Sequence, residues 1–321
     1  MAVFDLPSEA VWTKAAWNGS VFCAITDYGE FVATSPTGEV WTVSPMVAGT
    51  WRAIAWNGTV FCAVGGAGSY RDTATSQDGV NWTLHVNALP VPLGLMDIAW
   101  NGAVFCAVDN GYPSRSVTSA DGVIWSSVRI LPIDSVAAVA WSGSVFCVTQ
   151  SYGSAVATSP DGATWTARTL PYAMALLGIT WAGGVFCAVG ADWNTGTAIS
   201  AISAAGASWA VYSLPNVAAL RSVAWNGSTI CAVGEDSLGA GITATSADGI
   251  TWSTDQTIVD VYGWTWVIFA GSWFCARANN ASYQQFFAMS TNGVFDYAPL
   301  PPPPSIAPFW TNLKGQSEAN A

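Results

Sequence analysis

One phrase recurs seven times along this chain of 321 residues. It reads WNGSVFCAI from Trp17, WNGTVFCAV from Trp56, WNGAVFCAV from Trp100 and WSGSVFCVT from Trp141. It continues as WAGGVFCAV from Trp181, WNGSTICAV from Trp225 and, degraded, FAGSWFCAR from Phe269. A second phrase follows each copy: TSPTGEVWT, TSQDGVNWT, TSADGVIWS, TSPDGATWT, ISAAGASWA, TSADGITWS and finally MSTNGVFDY. The cysteines mark the period. They stand at 23, 62, 106, 147, 187, 231 and 275, at intervals of 39, 44, 41, 40, 44 and 44 residues. Repeated units of this length bury a continuous core by stacking on one another.

Each unit reads as four strands. WRAIAW (51–56) is a short apolar strand. Asn57-Gly58 is the signal for a two-residue hairpin of the I′ type, which needs positive φ at both central positions. TVFCAVG (59–65) is apolar on both faces, as a strand between neighbouring sheets must be. A polar loop of variable length leads to a third strand ending in Thr-Ser, a tight turn at Asp78-Gly79 and a fourth strand from Trp82. Gly and β-branched residues interrupt every candidate helix. Four strands per ~40–45 residues, seven times over, predict an all-β, seven-bladed β-propeller with four-stranded blades. It is expected to span 1–298, with a Pro-rich tail over 299–321. The opening segment, Ala2 to Pro7, is similar to VFDYAPLP where unit seven ends, and is expected to add a strand that helps close the ring.

Composition narrows the partners. Only 9% of residues are charged, against ~25% in ordinary soluble domains. Nine basic residues face 20 acidic ones, for a net charge of -11, which leaves little to hold a phosphate backbone. No nucleic acid is expected as a partner. No apolar run approaches the ~18 residues of a membrane helix, so no membrane insertion is expected, and MAVFDLPSEAVW lacks the basic start and apolar stretch of a signal peptide. Equivalent cysteines of neighbouring blades should lie too far apart for a disulfide, and no CxxC or His-rich spacing suggests zinc. They read as seven reduced thiols filling the core, consistent with a reducing cytoplasm. No metal or cofactor is expected, and the lone His85 reads as a surface residue on an outer strand.

The second phrase resembles the Asp-box, the Ser-x-Asp-x-Gly-x-Thr-Trp hairpin of sialidase-like propellers. Ser159, Asp161, Gly162, Thr164 and Trp165 carry the likeness. One residue fewer separates the Asp from the Trp here; Thr37, Ala205 and Asn292 replace the Asp in three units, and Phe295 replaces the Trp in the seventh. The repeats are also similar to those of bacteriophage tail and other virion proteins, from Lys14 to Tyr297. The likeness implies the propeller fold and a structural turn. Its Ser and Asp are expected to bond the turn's own N–H groups, and its Trp to pack on the adjacent blade. Sialidases add an arginine cluster, a Tyr nucleophile and acidic partners. The seven arginines here (52, 71, 115, 129, 168, 221, 277) carry no such pattern. Nothing in the sequence pairs Asp72, Asp192, Glu235 or Asp236 as a glycosidase's two carboxyl groups. No catalytic residue is assigned, and a non-enzyme is expected.

Function is expected where the units differ. Twelve tryptophans belong to the two phrases, and Trp12, Trp51 and Trp264 read as core. In a propeller the Asn-Gly and Asp-Gly turns share one face, and here they are uniform. The second-to-third-strand loops and the linkers occupy the other. This variable face carries the candidate binding residues Tyr28, Tyr70, Arg71, Asp72, Tyr112, Arg115, Tyr152, Asp192, Trp193, Asn279 and Tyr283. Exposed aromatics beside amides and carboxylates suit a glycan or a protein partner. Phe309 and Trp310, beyond four consecutive prolines, read as a docking peptide. The expected function is a non-enzymatic virion component, a bacteriophage tail or surface protein made in the host cytoplasm. It would bind a host-surface glycan or receptor, or neighbouring virion proteins. A cytoplasmic or secreted lectin-like or scaffold propeller is the alternative, with a glycoside hydrolase third.

Overall fold

The computed structural model describes residues 3–5, 11–27, 30–66, 71–255, 261–280 and 285–295. Its strands form five four-stranded antiparallel sheets and one seven-stranded sheet. In the seven-stranded sheet, Thr166–Ala182 runs without a break as the last strand of one four-stranded unit and the first of the next. There are thus seven four-stranded blades. Their innermost strands are Val11–Trp17, Trp51–Trp56, Leu95–Trp100, Val136–Trp141, the second half of Thr166–Ala182, Ala219–Trp225 and Val261–Ala270. Each packs on the next in that order, and Val261–Ala270 packs on Val11–Trp17, closing the ring. The fold is an all-β, seven-bladed propeller. In blade 7 the outermost strand is supplied by Val3–Asp5, which pairs antiparallel with Gln285–Ser290 through Val3–Ala288, Phe4–Phe287 and Asp5–Phe286. The strand expected from the opening segment is in place.

The recurring Phe-Cys pair explains how blades adhere. Consecutive strand residues point to opposite faces, so the two side chains serve different neighbours. Cys62 of blade 2 shares an apolar cluster with Phe105 of blade 3. Cys106 does so with Phe146, and Cys147 with Phe186. The pattern continues as Cys187 with Ile230, Cys231 with Phe274, Cys275 with Phe22, and Cys23 with Phe61. Each of the seven blade interfaces therefore has one thiol from one side and one large apolar side chain from the other. All seven cysteines are buried and free. Burial pushes each thiol up, Cys187 to about 12, so the reactive thiolate is suppressed. Trp12, Trp51 and Trp264 are fully buried, as their position five residues before the phrase suggests.

The two turns differ from each other in construction. At Asn57-Gly58 only the glycine has positive φ, +98°, so the expected I′ turn is not what forms. Asn57 N–H donates to the Val60 carbonyl, making Gly58 and Thr59 the central pair. Positive φ at the first central residue alone is the II′ pattern. The Asn earns its place through its side chain: Oδ1 accepts from Thr59 N–H at 2.8 Å and Val60 N–H at 2.7 Å. Asn18, Asn101 and Asn226 repeat this.

The second turn is a latch between blades. In TSPDGATWT, Ser159 Oγ accepts from Gly162 N–H at 2.8 Å, and Asp161 Oδ1 accepts from Ala163 and Thr164 N–H at 2.8 and 2.7 Å. The Gly162 carbonyl then accepts from Ser116 Oγ of the preceding blade at 2.9 Å, and Trp165 Nε1 donates to the same Oγ at 2.9 Å. Thr73 to Gly122 and Ser200 to Gly249 make the same bridge at 2.9 and 2.8 Å.

Burial works against ionising Asp161 and Asp78. The N–H and hydroxyl donors around them outweigh it and hold both carboxyl groups at about 2. Their folded value lies below the ~3.9 of a free Asp. Their stabilisation is therefore complete above about pH 4 and is lost as pH falls through about 2. Melting temperature should drop across that window. Exchanging both for Asn should flatten the drop, because Asn292 already accepts the equivalent bond from Val294 N–H without a charge. An unchanged pH profile in the double variant would refute this account.

Candidate functional site

The loops joining second and third strands lie on one face, opposite the Asn-Gly and Ser-x-Asp-Gly turns. On blades 3, 4 and 5 these loops display large aromatic residues to solvent. Tyr112 is 81% exposed, Tyr152 66% and Trp193 62%. Tyr112 accepts a hydrogen bond on its hydroxyl from Ser135 Oγ of the following blade at 2.5 Å. Three neighbouring blades thus present an aromatic arc, continued on blade 6 by Leu238 at 87% exposure.

The charged candidates on this face are engaged inside the protein. Arg115 Nε and Nη2 lie 2.7 and 2.6 Å from Asp109 Oδ2, and Asp109, 1% exposed, also accepts from Arg115 N–H. This pairing of a half-buried arginine with a buried carboxylate fixes the loop carrying Tyr112 and offsets the arginine's charge. Arg71 Nε donates to the Leu89 carbonyl at 2.8 Å, and Asp72 accepts from Asn87 N–H at 2.8 Å; both tie the blade 2 loop to its linker. Asp192 is buried and accepts from Asn194 N–H at 2.9 Å, shaping the turn that lifts Trp193 into solvent. Of Asn279 the backbone is described, paired with Tyr262 and Gln285. Tyr28, Tyr70, Tyr283, Phe309 and Trp310 lie outside the described residues.

Two members of the face escaped the sequence reading. Tyr172 sits in the long strand joining blades 4 and 5, and its hydroxyl is pushed up by burial and by the charge of Asp192. Leu238 is the other, an apolar residue at the tip of a loop whose turn is held by Asp236 Oδ1. Counting exposed aromatics outside the repeats would have found the first. A lone leucine in a Gly- and Ser-rich loop gives no such signal.

Inside the ring lies a channel, a cavity of about 480 Å³ lined by residues of all seven innermost strands. Each of these strands carries a β-bulge at the same place, between Trp12 and Lys14, Trp51 and Ala53, Leu95 and Asp97, Val136 and Ala138, Leu176 and Gly178, Leu220 and Ser222, and Trp264 and Trp266. The single His85 stands on the outermost strand of blade 2, where Nε2 lies 2.8 Å from Thr75 Oγ1, and it does not line the channel. Among the described residues no group of three or more His, Cys, Asp or Glu side chains is placed to hold a metal ion.

No protein-family model matches the sequence, nor does any curated protein. Solved structures do match the fold. A structure titled YCF48 bound to D1 peptide superposes with a TM-score of 0.68 at 15% identity, over 92% of this chain and 96% of that one. Virginiamycin B lyase from Staphylococcus aureus gives 0.71 at 10% identity, over 90% and 98%. A streptogramin B lyase gives 0.71 at 12% identity, over 90% and 96%. At these identities the likeness is one of architecture.

Proposed function

We propose that this chain is a non-catalytic binding propeller, an adhesion component of a virion, which holds a surface glycan on its loop face. The observation that carries the reading is the aromatic arc. Tyr112, Tyr152 and Trp193 stand largely exposed on three consecutive blades, in a molecule whose repeat-phrase aromatics pack between blades. Flat rings held on short, internally bonded loops supply stacking surface at low entropic cost. The likeness of the Asp-box turns and WNG repeats to virion proteins supports the setting. A peptide-bound propeller among the structural neighbours supports the general use of such a ring as a binder.

The lyase neighbours suggest an enzyme, and one of them is titled a catalytically inactive His-to-Ala variant. Here the single histidine lies on an outer strand, bonded to Thr75 and away from the channel. That placement favours binding over lyase chemistry.

A glycan array on the purified protein tests the proposal. A glycan that binds should lose affinity by ~10-fold or more in Tyr152→Ala and Trp193→Ala. Ile124→Ala, on the opposite face, should bind as the parent does. No binding on the array, undiminished binding by both loop variants, or release of sugar from a bound glycan would each overturn it.

A further inference from the structure

The bulge in each innermost strand presents one extra residue, and the seven residues so presented are sorted around the ring. Blades 6, 7, 1 and 2 offer Arg221, Thr265, Thr13 and Arg52. Blades 3, 4 and 5 offer Met96, Ala137 and Leu177. One arc is polar and cationic, the other apolar. Lys14, next to Thr13, adds a further cation, and all of these except Ala137 line the channel. In a chain of net charge -11, three of the described basic residues, Lys14, Arg52 and Arg221, face this one cavity. Among the described acidic residues only Asp97 does so.

Two of the three cations have carboxylate partners. Lys14 Nζ lies 2.9 Å from Asp97 Oδ1, whose other oxygen accepts from Val139 N–H at 3.0 Å. Arg221 Nη2 pairs with Glu235 at 2.5 Å. Arg52 differs. Among the described residues it enters no ion pair, and its Nη1 donates to the Met96 sulfur at 3.1 Å, a weak acceptor. A guanidinium in this state offers a planar fork matched to a carboxylate or phosphate. The innermost strands run from the loop face toward the Asn-Gly turns, so the bulges lie in the half of the channel nearer the loops.

We infer that this loop-side half of the channel binds a small organic oxyanion with an apolar body. The carboxylate or phosphate sits on Arg52, while Lys14 and Arg221 offset the charges of Asp97 and Glu235, which would otherwise repel it. The body lies against Met96 and Leu177. The site is separate from the aromatic arc, and its ligand is held within the ring.

Isothermal titration of the full chain with four probes tests this. Phenylacetate and phenyl phosphate carry both halves of the ligand, inorganic phosphate only the charge, and benzyl alcohol only the body. Saturable binding of phenylacetate or phenyl phosphate is expected, and the tighter of the two identifies the oxyanion. Inorganic phosphate should bind about tenfold more weakly for want of apolar contact, and benzyl alcohol not at all. Arg52→Met should weaken binding about tenfold or more, while Arg129→Gln, exposed on the outer strand of blade 3, should leave it unchanged. Thermal melts check that the variants fold, and Arg221→Gln, expected to lose affinity about threefold or more, serves if Arg52→Met does not. The inference fails if neither aromatic anion saturates, if benzyl alcohol binds as tightly as they do, or if a folded Arg52→Met or Arg221→Gln keeps the parent affinity.

Discussion

Gly122→Ala is expected to destabilise the protein by about 2–4 kcal/mol in urea unfolding, through strain and overpacking together. Gly122 has φ +77°, and an added Cβ would stand 2.9 Å from both Cys62 Sγ and Thr75 Cγ2 of the preceding blade. Those neighbours sit on two adjacent strands, Phe61–Gly65 and Thr73–Ser76, whose residues are all buried, so relief requires the blades to part. Gly102→Ala separates the two contributions. It has φ +96° but nothing within 4 Å of a Cβ, so it carries the backbone cost alone, about 1–2 kcal/mol. Shortening the thiol in a Cys62→Ala background should recover part of the Gly122→Ala loss. Equal losses for Gly122→Ala and Gly102→Ala would show that the turn glycines do not latch one blade to the next.

Removing residues 1–7 is expected to lower the melting temperature by roughly 3–6 °C, since a few kcal/mol of strand pairing is lost from a chain of this size. The deletion takes away the outermost strand of blade 7 and leaves Gln285–Ser290 as an open edge. An unpaired edge recruits other chains, so light scattering should reveal self-association that grows with concentration. A peptide of residues 1–10 added in trans should restore both readouts. A deleted chain that stays monomeric and melts with the parent would mean that the ring is closed without its first strand.

The sequence carried the architecture because the same local requirement was written seven times. Cys-to-Cys spacing gave the blade count, and the Phe-Cys pair made sense as soon as neighbouring sheets were placed on either side. The Asn-Gly dipeptides marked the right turns but for a different reason than expected. Their asparagines act through Oδ1 and not through positive φ. The bulges were invisible, since a bulged residue differs from its neighbours only in register, and Thr13, Arg52 and Met96 share no side-chain property. On the loop face the exposed rings of Tyr112, Tyr152 and Trp193 could be anticipated because they break the repeat. The engagement of Arg115 with Asp109 could not. A loop of short polar residues says nothing about which charge will be consumed in shaping it.

The unbroken run of Thr166–Ala182 has a consequence for how the ring comes apart. Among the described residues it is the one strand shared by two blades, its first half pairing with blade 4 and its second half with blade 5. Blades 4 and 5 should therefore open as one cooperative unit. A circular permutant cut inside this span would break the strand that joins the two blades, whereas new termini placed in the linker between Val86 and Gly94 would interrupt no strand.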